Sequence, residues 1–301
     1  MSPIPLVELN NGTGSVPNPF TAESCNVAKK WISTAIQTGY KHIDTAMFYG
    51  LGSNSISTEK VIGEAIRESG IPREEFFITT KLPFNHQGVP ESFDLSLKNL
   101  GVDYVDLGWL NLPHGPDGSV IAVDSPTFNE SYAEIEKIYA SGRAKAIGVS
   151  NFSFKTGTYS LEELLSTATV VPAVNQIEYM RHPYLAERAL IAYHKKKGIA
   201  TEAYSPGGHK NAIREDPVIN AIAVKHGVSP TQVILAWHTA GGVIVIPKSE
   251  NEQRQKDNLN LPVLDEEDLK KIDGLDRGER LCNKADQNGK FLGWTTERLG
   301  W

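Results

Sequence analysis

A short apolar run followed by a longer stretch of helical spacing recurs along nearly the whole of this 301-residue chain. Chains punctuated in that way build parallel strands joined by crossover helices. The strand-like runs are KHIDTA from Lys41, FFITTKLP from Phe76, YVDLGWLN from Tyr104, AKAIGVSN from Ala144, VPAVNQIEY from Val171, GIATEAYSP from Gly198 and GVIVIPKS from Gly242. Between them lie STEKVIGEAIRES, PESFDLSLKNLG, PTFNESYAEIEKIYASG, PYLAERALIAYHKKKG and SPTQVILAWHTAGG. Ser57 and Ser229 stand where N-caps belong, and Gly101, Gly142, Gly198 and Gly241 where helices should stop.

Seven clear strands and a fainter first one make eight, with no Pro/Gly/Ser-rich linker to divide them. The expected fold is therefore α/β, a closed (β/α)8 TIM barrel in a single domain over 1–301, with a last helix and an irregular tail after about 265. The runs begin apolar and end polar: Asp44, Lys81, Asn111, Ser150, Asn151, Gln176, Tyr204 and Lys248 stand at or just beyond their C-terminal ends. In a parallel barrel those ends converge on the face where enzymes of this shape carry their sites. A doubly wound sheet would gather strand ends too, but the GxGxxG fingerprint after a first strand is missing.

Composition narrows the partners. With 40% hydrophobic and 22% charged residues the chain has material for a large core. Its net charge of −6 and lack of a concentrated basic run argue against nucleic acid or an anionic membrane. The brief Lys195–Lys197 cluster closes a helix before Gly198, where cations complement the helix dipole. Cys25 and Cys282 are far apart and outside any CxxC pattern, so neither a disulfide framework nor a thiolate metal site is expected. The opening residues lack a signal-peptide pattern, and no apolar run reaches membrane-spanning length. The expectation is a soluble cytoplasmic protein.

Asp44, Tyr49 and Lys81 make the constellation best suited to chemistry. A phenol with a pKa near ~10 is a reluctant proton donor at neutral pH, but an adjacent ammonium stabilises the phenolate and lowers that value. Lys81 is placed to supply the charge, and Asp44 to hold Lys81 protonated, leaving Tyr49 as general acid toward a carbonyl. Taken singly, the same residues read as a rim ion pair and a loop aromatic; their joint placement at strand ends favours chemistry. His42 shares a strand face with Asp44, but two ligands without a third do not make a metal site, and none is expected.

The stretch GYKHIDTAMFYG resembles the aldo-keto reductase signature, and ITTKLP, LGVDYVDL, IGVSN, AVNQIEY, AYSP and IPKS resemble later family blocks in the right order, over roughly Gly39 to Asn258. The resemblance implies a (β/α)8 fold, a nicotinamide cofactor without metal, and hydride transfer to an aldehyde or ketone. By position it makes Tyr49 the proton donor with Asp44 and Lys81 as its tuning partners. It makes Ser150, Asn151 and Gln176 ligands of the nicotinamide carboxamide. Tyr204 becomes the ring that stacks on the nicotinamide, with Ser205 and Pro206 of the same block also at the cofactor. Lys248, Ser249, Arg254 and Asn258 become the adenosine clamp, where Lys and Arg suit a 2′-phosphate and so prefer NADP(H). Glu250 lies inside that clamp and opposes a phosphate, which leaves NAD(H) open.

Two departures qualify the resemblance. Where the family has a fourth catalytic residue, a histidine after YVDL, this chain has Asn111, which donates a hydrogen bond but does not titrate. His114, beyond Pro113, is a candidate replacement or a plain loop histidine. The GxGTW-like segment of the first strand is also missing, and GLGSNSISTEK and GGHKNAIRED would reshape the substrate pocket. The leading expectation is NADP(H)-dependent reduction of a small carbonyl substrate by a monomer or weak homodimer. The alternatives are altered or non-redox chemistry (isomerase, dehydratase or enone reductase) and a cofactor-sensing subunit of little activity.

Overall fold

Each of the apolar runs becomes a strand paired in parallel with its predecessor. The structure, a computed structural model, describes residues 6–8, 22–47, 49, 57–82, 88–110, 127–153, 160–179, 185–206, 213–276, 285–291 and 294–299. The strands are β1 (Leu6–Glu8), β2 (His42–Asp44), β3 (Phe77–Lys81), β4 (Val105–Leu110), β5 (Ala144–Ser150), β6 (Val174–Glu178), β7 (Ala200–Tyr204) and β8 (Ile244–Ile246). They form one eight-stranded sheet in sequence order, and β8 returns alongside β1 to close it. This is the (β/α)8 barrel predicted above, and the fainter first strand is real.

Helices α1 (Ala22–Thr38), α2 (Thr58–Ser69), α3 (Val89–Leu100), α4 (Phe128–Ala140), α5 (Leu161–Thr167), α6 (Leu185–Lys197), α7 (Pro217–His226), α8 (Pro230–Ala240), α9 (Glu252–Leu259) and α10 (Glu266–Asp273) alternate with or follow the strands. The punctuation works as expected. Ser57 accepts from the Glu59 amide, and Ser229 and Gln232 form a reciprocal capping box. Helix α8 stops at Gly241 as expected, with Gly241 as its C-cap at φ −77° and Gly242 beyond it, at φ 75°, taking the left-handed conformation. Beyond α10 the tail is less irregular than its composition suggests, with a short antiparallel pair, β9 (Lys290–Phe291) and β10 (Trp294–Thr295), and a helical turn, α11 (Thr296–Leu299). Among the described residues no helix is long and apolar enough to cross a membrane.

Strand alternation divides the apolar side chains into two groups. Ile43, Ile78, Ile147, Val149, Ile177 and Ala203 face the helices and join the larger core. Leu107, Trp109 and Val174, with Phe77, Ala146 and Ala200 against them, fill the barrel itself. Trp109 is fully buried there, and Gly148 on the neighbouring strand has no room for a side chain, because a Cβ would lie 2.7 Å from the Val174 carbonyl oxygen, with the indole in ordinary contact at 3.4 Å. This apolar plug supports a polar layer above it, where Lys81 is paired in register with Trp109 and Gln176 with Glu202.

Candidate active site

Asp44 and Lys81 end neighbouring inward-facing rows on β2 and β3, so alternation alone aims both into the barrel. They form an ion pair, with Asp44 0% and Lys81 2% exposed. Lys81 Nζ also donates to the Thr45 carbonyl at 3.1 Å and lies 5.1 Å from the centre of the Tyr49 ring and 5.7 Å from that of Trp109. Tyr49 is 6% exposed, its loop fastened by the Thr58 hydroxyl and amide, which donate to the Tyr49 carbonyl at 2.5 and 3.3 Å. Burial pushes the Asp44 carboxyl up from its usual range, while Lys81 and a hydrogen bond from Gln176 pull it back. The same burial, aided by Lys81, holds His42 down to about 3. His42 thus stands as a neutral ring bonded to the Thr79 hydroxyl at 2.8 Å.

Gln176 on β6 links this pair to a residue that the strand-end reading passed over. Its Nε2 donates to Asp44 Oδ2 at 3.1 Å and to Glu202 Oε1 at 2.5 Å. Glu202 on β7 is 0% exposed. Two carboxylate acceptors consume both protons of one amide nitrogen, so the Gln176 amide has one orientation and only its carbonyl oxygen is left to receive a further donor. The signal for Glu202 was present in ATEAY, since it precedes Tyr204 by two and shares its face.

Above Gln176, the ends of β5 and β7 are joined. Ser150 Oγ donates to the Gln176 backbone carbonyl at 3.0 Å, Asn151 Nδ2 donates to Ser150 Oγ at 3.1 Å, and the Tyr204 hydroxyl donates to Asn151 Oδ1 at 2.8 Å. Asn151 and Ser205 hold φ of 64° and 49°, turns that bend the chain away at the strand ends, and Pro206 is buried just beyond. A carboxamide offers one acceptor and one donor group. The Gln176 side-chain carbonyl, the Ser150 hydroxyl and the Asn151 side-chain amide make a complementary set, and the nicotinamide end of the cofactor fits it chemically.

The second polar group follows β8. Lys248 forms an ion pair with Glu250 and stands 5.6 Å over the Trp31 ring. Arg254 Nε donates to Ser249 Oγ at 3.3 Å, Asn251 caps α9 through the Arg254 amide at 2.9 Å, and Asn258 stands beside the Tyr40 phenol, which donates to the Gln255 backbone carbonyl at 3.0 Å. Beneath them buried Gln255 donates to the carbonyls of Ser249 at 2.8 Å and Trp31 at 3.1 Å, fastening α9 to α1. The sequence-predicted residues therefore fall into two assemblies, one in the barrel mouth and one after β8, from Lys248 along α9 to Asn258. Asn111 and His114 lie outside the described residues. Among the described residues no group of three or more His, Cys, Asp or Glu side chains gathers in metal-binding fashion.

The model of the Aldo/keto reductase family matches residues 8–277. The chain is 39% identical to morphine 6-dehydrogenase of Pseudomonas putida, covering 92% of this chain and 93% of that one. It is 38% identical to glyoxal reductase of Bacillus subtilis, covering 89% and 90%. Among solved structures, an aldo-keto reductase of Bombyx mori in complex with NADP superposes with a TM-score of 0.80 at 30% identity, over 98% of this chain and 95% of that one.

Proposed function

The chain belongs to the aldo/keto reductase family, and on that footing we propose that it is an NADP(H)-dependent oxidoreductase reducing an aldehyde or ketone, with Tyr49 as proton donor. The observation that carries the reading is the Lys81 ammonium, ion-paired to buried Asp44 and held 5.1 Å from the Tyr49 ring. When bound, the nicotinamide supplies the hydride. Tyr49 then gives its phenolic proton to the carbonyl oxygen, and Lys81 stabilises the negative charge left on the phenolate in a site of low dielectric. Asp44 holds Lys81 in place.

Ser150, Asn151 and Gln176 hold the carboxamide, with Glu202 fixing the Gln176 amide from behind. Tyr204, its hydroxyl tied to Asn151, offers its ring to the nicotinamide, with Ser205 and Pro206 at the turn below it. Lys248, Ser249, Arg254 and Asn258 receive the adenosine 2′-phosphate. Asn111 would orient the substrate carbonyl as a hydrogen-bond donor in place of the family's histidine.

A Tyr49→Phe variant tests this. Reduction of an aldehyde by NADPH should fall by about 10²- to 10⁴-fold in kcat/KM, with NADPH affinity retained. Undiminished activity would remove Tyr49 from the role. Asn111 favours a second reading, altered chemistry such as enone reduction, isomerisation or dehydration. A panel of aldehydes, ketones and enones separates the two: turnover confined to enones, or tight NADPH binding with no turnover, would select the second. We place this activity in one barrel domain over 1–301, cytoplasmic and monomeric or weakly dimeric.

A further inference from the structure

The clamp at α9 contains an anion where a site built only for phosphate would have none. Lys248 is already engaged by Glu250, and the two side chains are only 26% and 30% exposed. The surrounding frame has little freedom: Gln255 fixes the Ser249 and Trp31 backbones, the Trp31 ring backs Lys248, and Arg254 is held to Ser249 Oγ. The Glu250 side chain, partly exposed beside Lys248, is free to turn about its own bonds within that frame.

We propose that Glu250 is a specificity-determining residue that lets this clamp accept NAD(H) as well as NADP(H). The inference rests on the assignment of Lys248, Ser249 and Arg254 to the adenosine ribose. A 2′-phosphate is a multiply charged acceptor without a spare donor at neutral pH, so it competes with the Glu250 carboxylate for Lys248 and is repelled by it. A ribose 2′-hydroxyl is a donor, and a carboxylate is its natural acceptor. With NADP(H), Glu250 must swing off Lys248 and leave both cations to the phosphate. With NAD(H), it stays near Lys248 and accepts the hydroxyl proton in a hydrogen bond. One side chain thus weakens the tighter ligand and supports the weaker one.

The test is equilibrium binding to the purified full chain, read by intrinsic tryptophan fluorescence, with Trp31 beside Lys248 as a local reporter. The probes are NADP+, NAD+ and two fragments, adenosine 2′,5′-bisphosphate and adenosine 5′-monophosphate. For Glu250→Gln, the Kd of NADP+ and of the bisphosphate should fall about three- to fivefold, the scale of an exposed charge contact, and that of NAD+ should rise. Arg254→Met provides the control and should weaken NADP+ while sparing NAD+. Unchanged affinities in Glu250→Gln beside a weakened Arg254→Met would overturn the role of Glu250 with the clamp intact. Unchanged NADP+ affinity in Arg254→Met would overturn the clamp, and this inference with it.

Discussion

Two lysine–carboxylate pairs, Lys81 with Asp44 and Lys248 with Glu250, are alike in chemistry and opposite in setting. The first is walled in by the barrel, and its carboxylate also accepts from Gln176. The second is partly exposed, at 26% and 30%, and its lysine stands over the Trp31 ring. Charges that have been taken out of water cannot change partners without leaving one of them bare, whereas charges at a surface exchange partners at small cost. The buried pair therefore suits a fixed catalytic frame and the open pair suits ligand selection.

Breaking each pair in turn is the most direct check on that contrast. Lys81→Met should cost about 3–5 kcal/mol, because Asp44 would be left buried and uncompensated, and should lower the urea midpoint accordingly. An Asp44→Asn/Lys81→Met double variant should recover part of the loss. Lys248→Met should cost under about 1 kcal/mol. Equal costs for the two single variants would erase the distinction between the regions.

Acid provides the next largest effect. The folded-state values of His42 and of His194, a buried residue of α6 hydrogen-bonded to Thr201 and Asn175, are about 3 and about 4, below the ordinary 6.5 because burial disfavours their charged forms. The unfolded chain therefore takes up protons first as pH falls. The stability these two residues contribute is complete above pH 6.5 and is lost as pH drops toward about 4 for His194 and about 3 for His42. Between pH 6.5 and 5.5 the two together should lose roughly 2 kcal/mol, measurable by urea titration at each pH. A His42→Asn variant should flatten that slope, and an unaltered slope would mean that His42 is not held neutral.

Glu202 was not apparent from the strand ends and gives a smaller effect. Replacing it by Ala strands one N–H of Gln176, a loss toward the low end of ~1–3 kcal/mol because Asp44 still accepts from the other. Cofactor affinity should also weaken as the amide becomes free to turn. Glu202→Gln retains an acceptor and should restore much of both. If Glu202→Ala binds NADP+ as the parent does, Glu202 has no part in orienting Gln176. Smallest of all, raising salt from 50 to 500 mM should weaken NADP+ a few-fold while sparing NAD+, since only the exposed clamp is screened.

The architecture was legible because every strand carries its own boundary signals, and a polar residue ending an apolar run declares which way it faces. Asp44, Lys81, Gln176 and Tyr204 were readable for that reason. Glu202 was not, because a carboxylate inside a strand looks like a solvent-facing residue until its neighbours in space are known. Only the parallel pairing of β6 with β7 places Gln176, 26 residues away in the chain, against it. The pairing of Lys248 with Glu250 was foreshadowed as a conflict within the clamp, since proximity in sequence guaranteed proximity in space. Helix α1 is less legible, because its helical spacing follows a polar, Pro-containing stretch. The tail's hairpin rests on two-residue strands, too short for alternation to reveal.

Asn151 meets two demands at once, a left-handed backbone at φ 64° and a side-chain oxygen for the Tyr204 hydroxyl. Glycine satisfies the first and not the second; serine or glutamine the reverse. Aspartate meets both but brings a charge to a place where a neutral amide donates to Ser150. The position is therefore almost closed to mutational drift, and so is its partner, 53 residues further along. A lineage could exchange Asn151 and Tyr204 only as a couple, and the path between any two such couples runs through an intermediate deprived of one of these contacts.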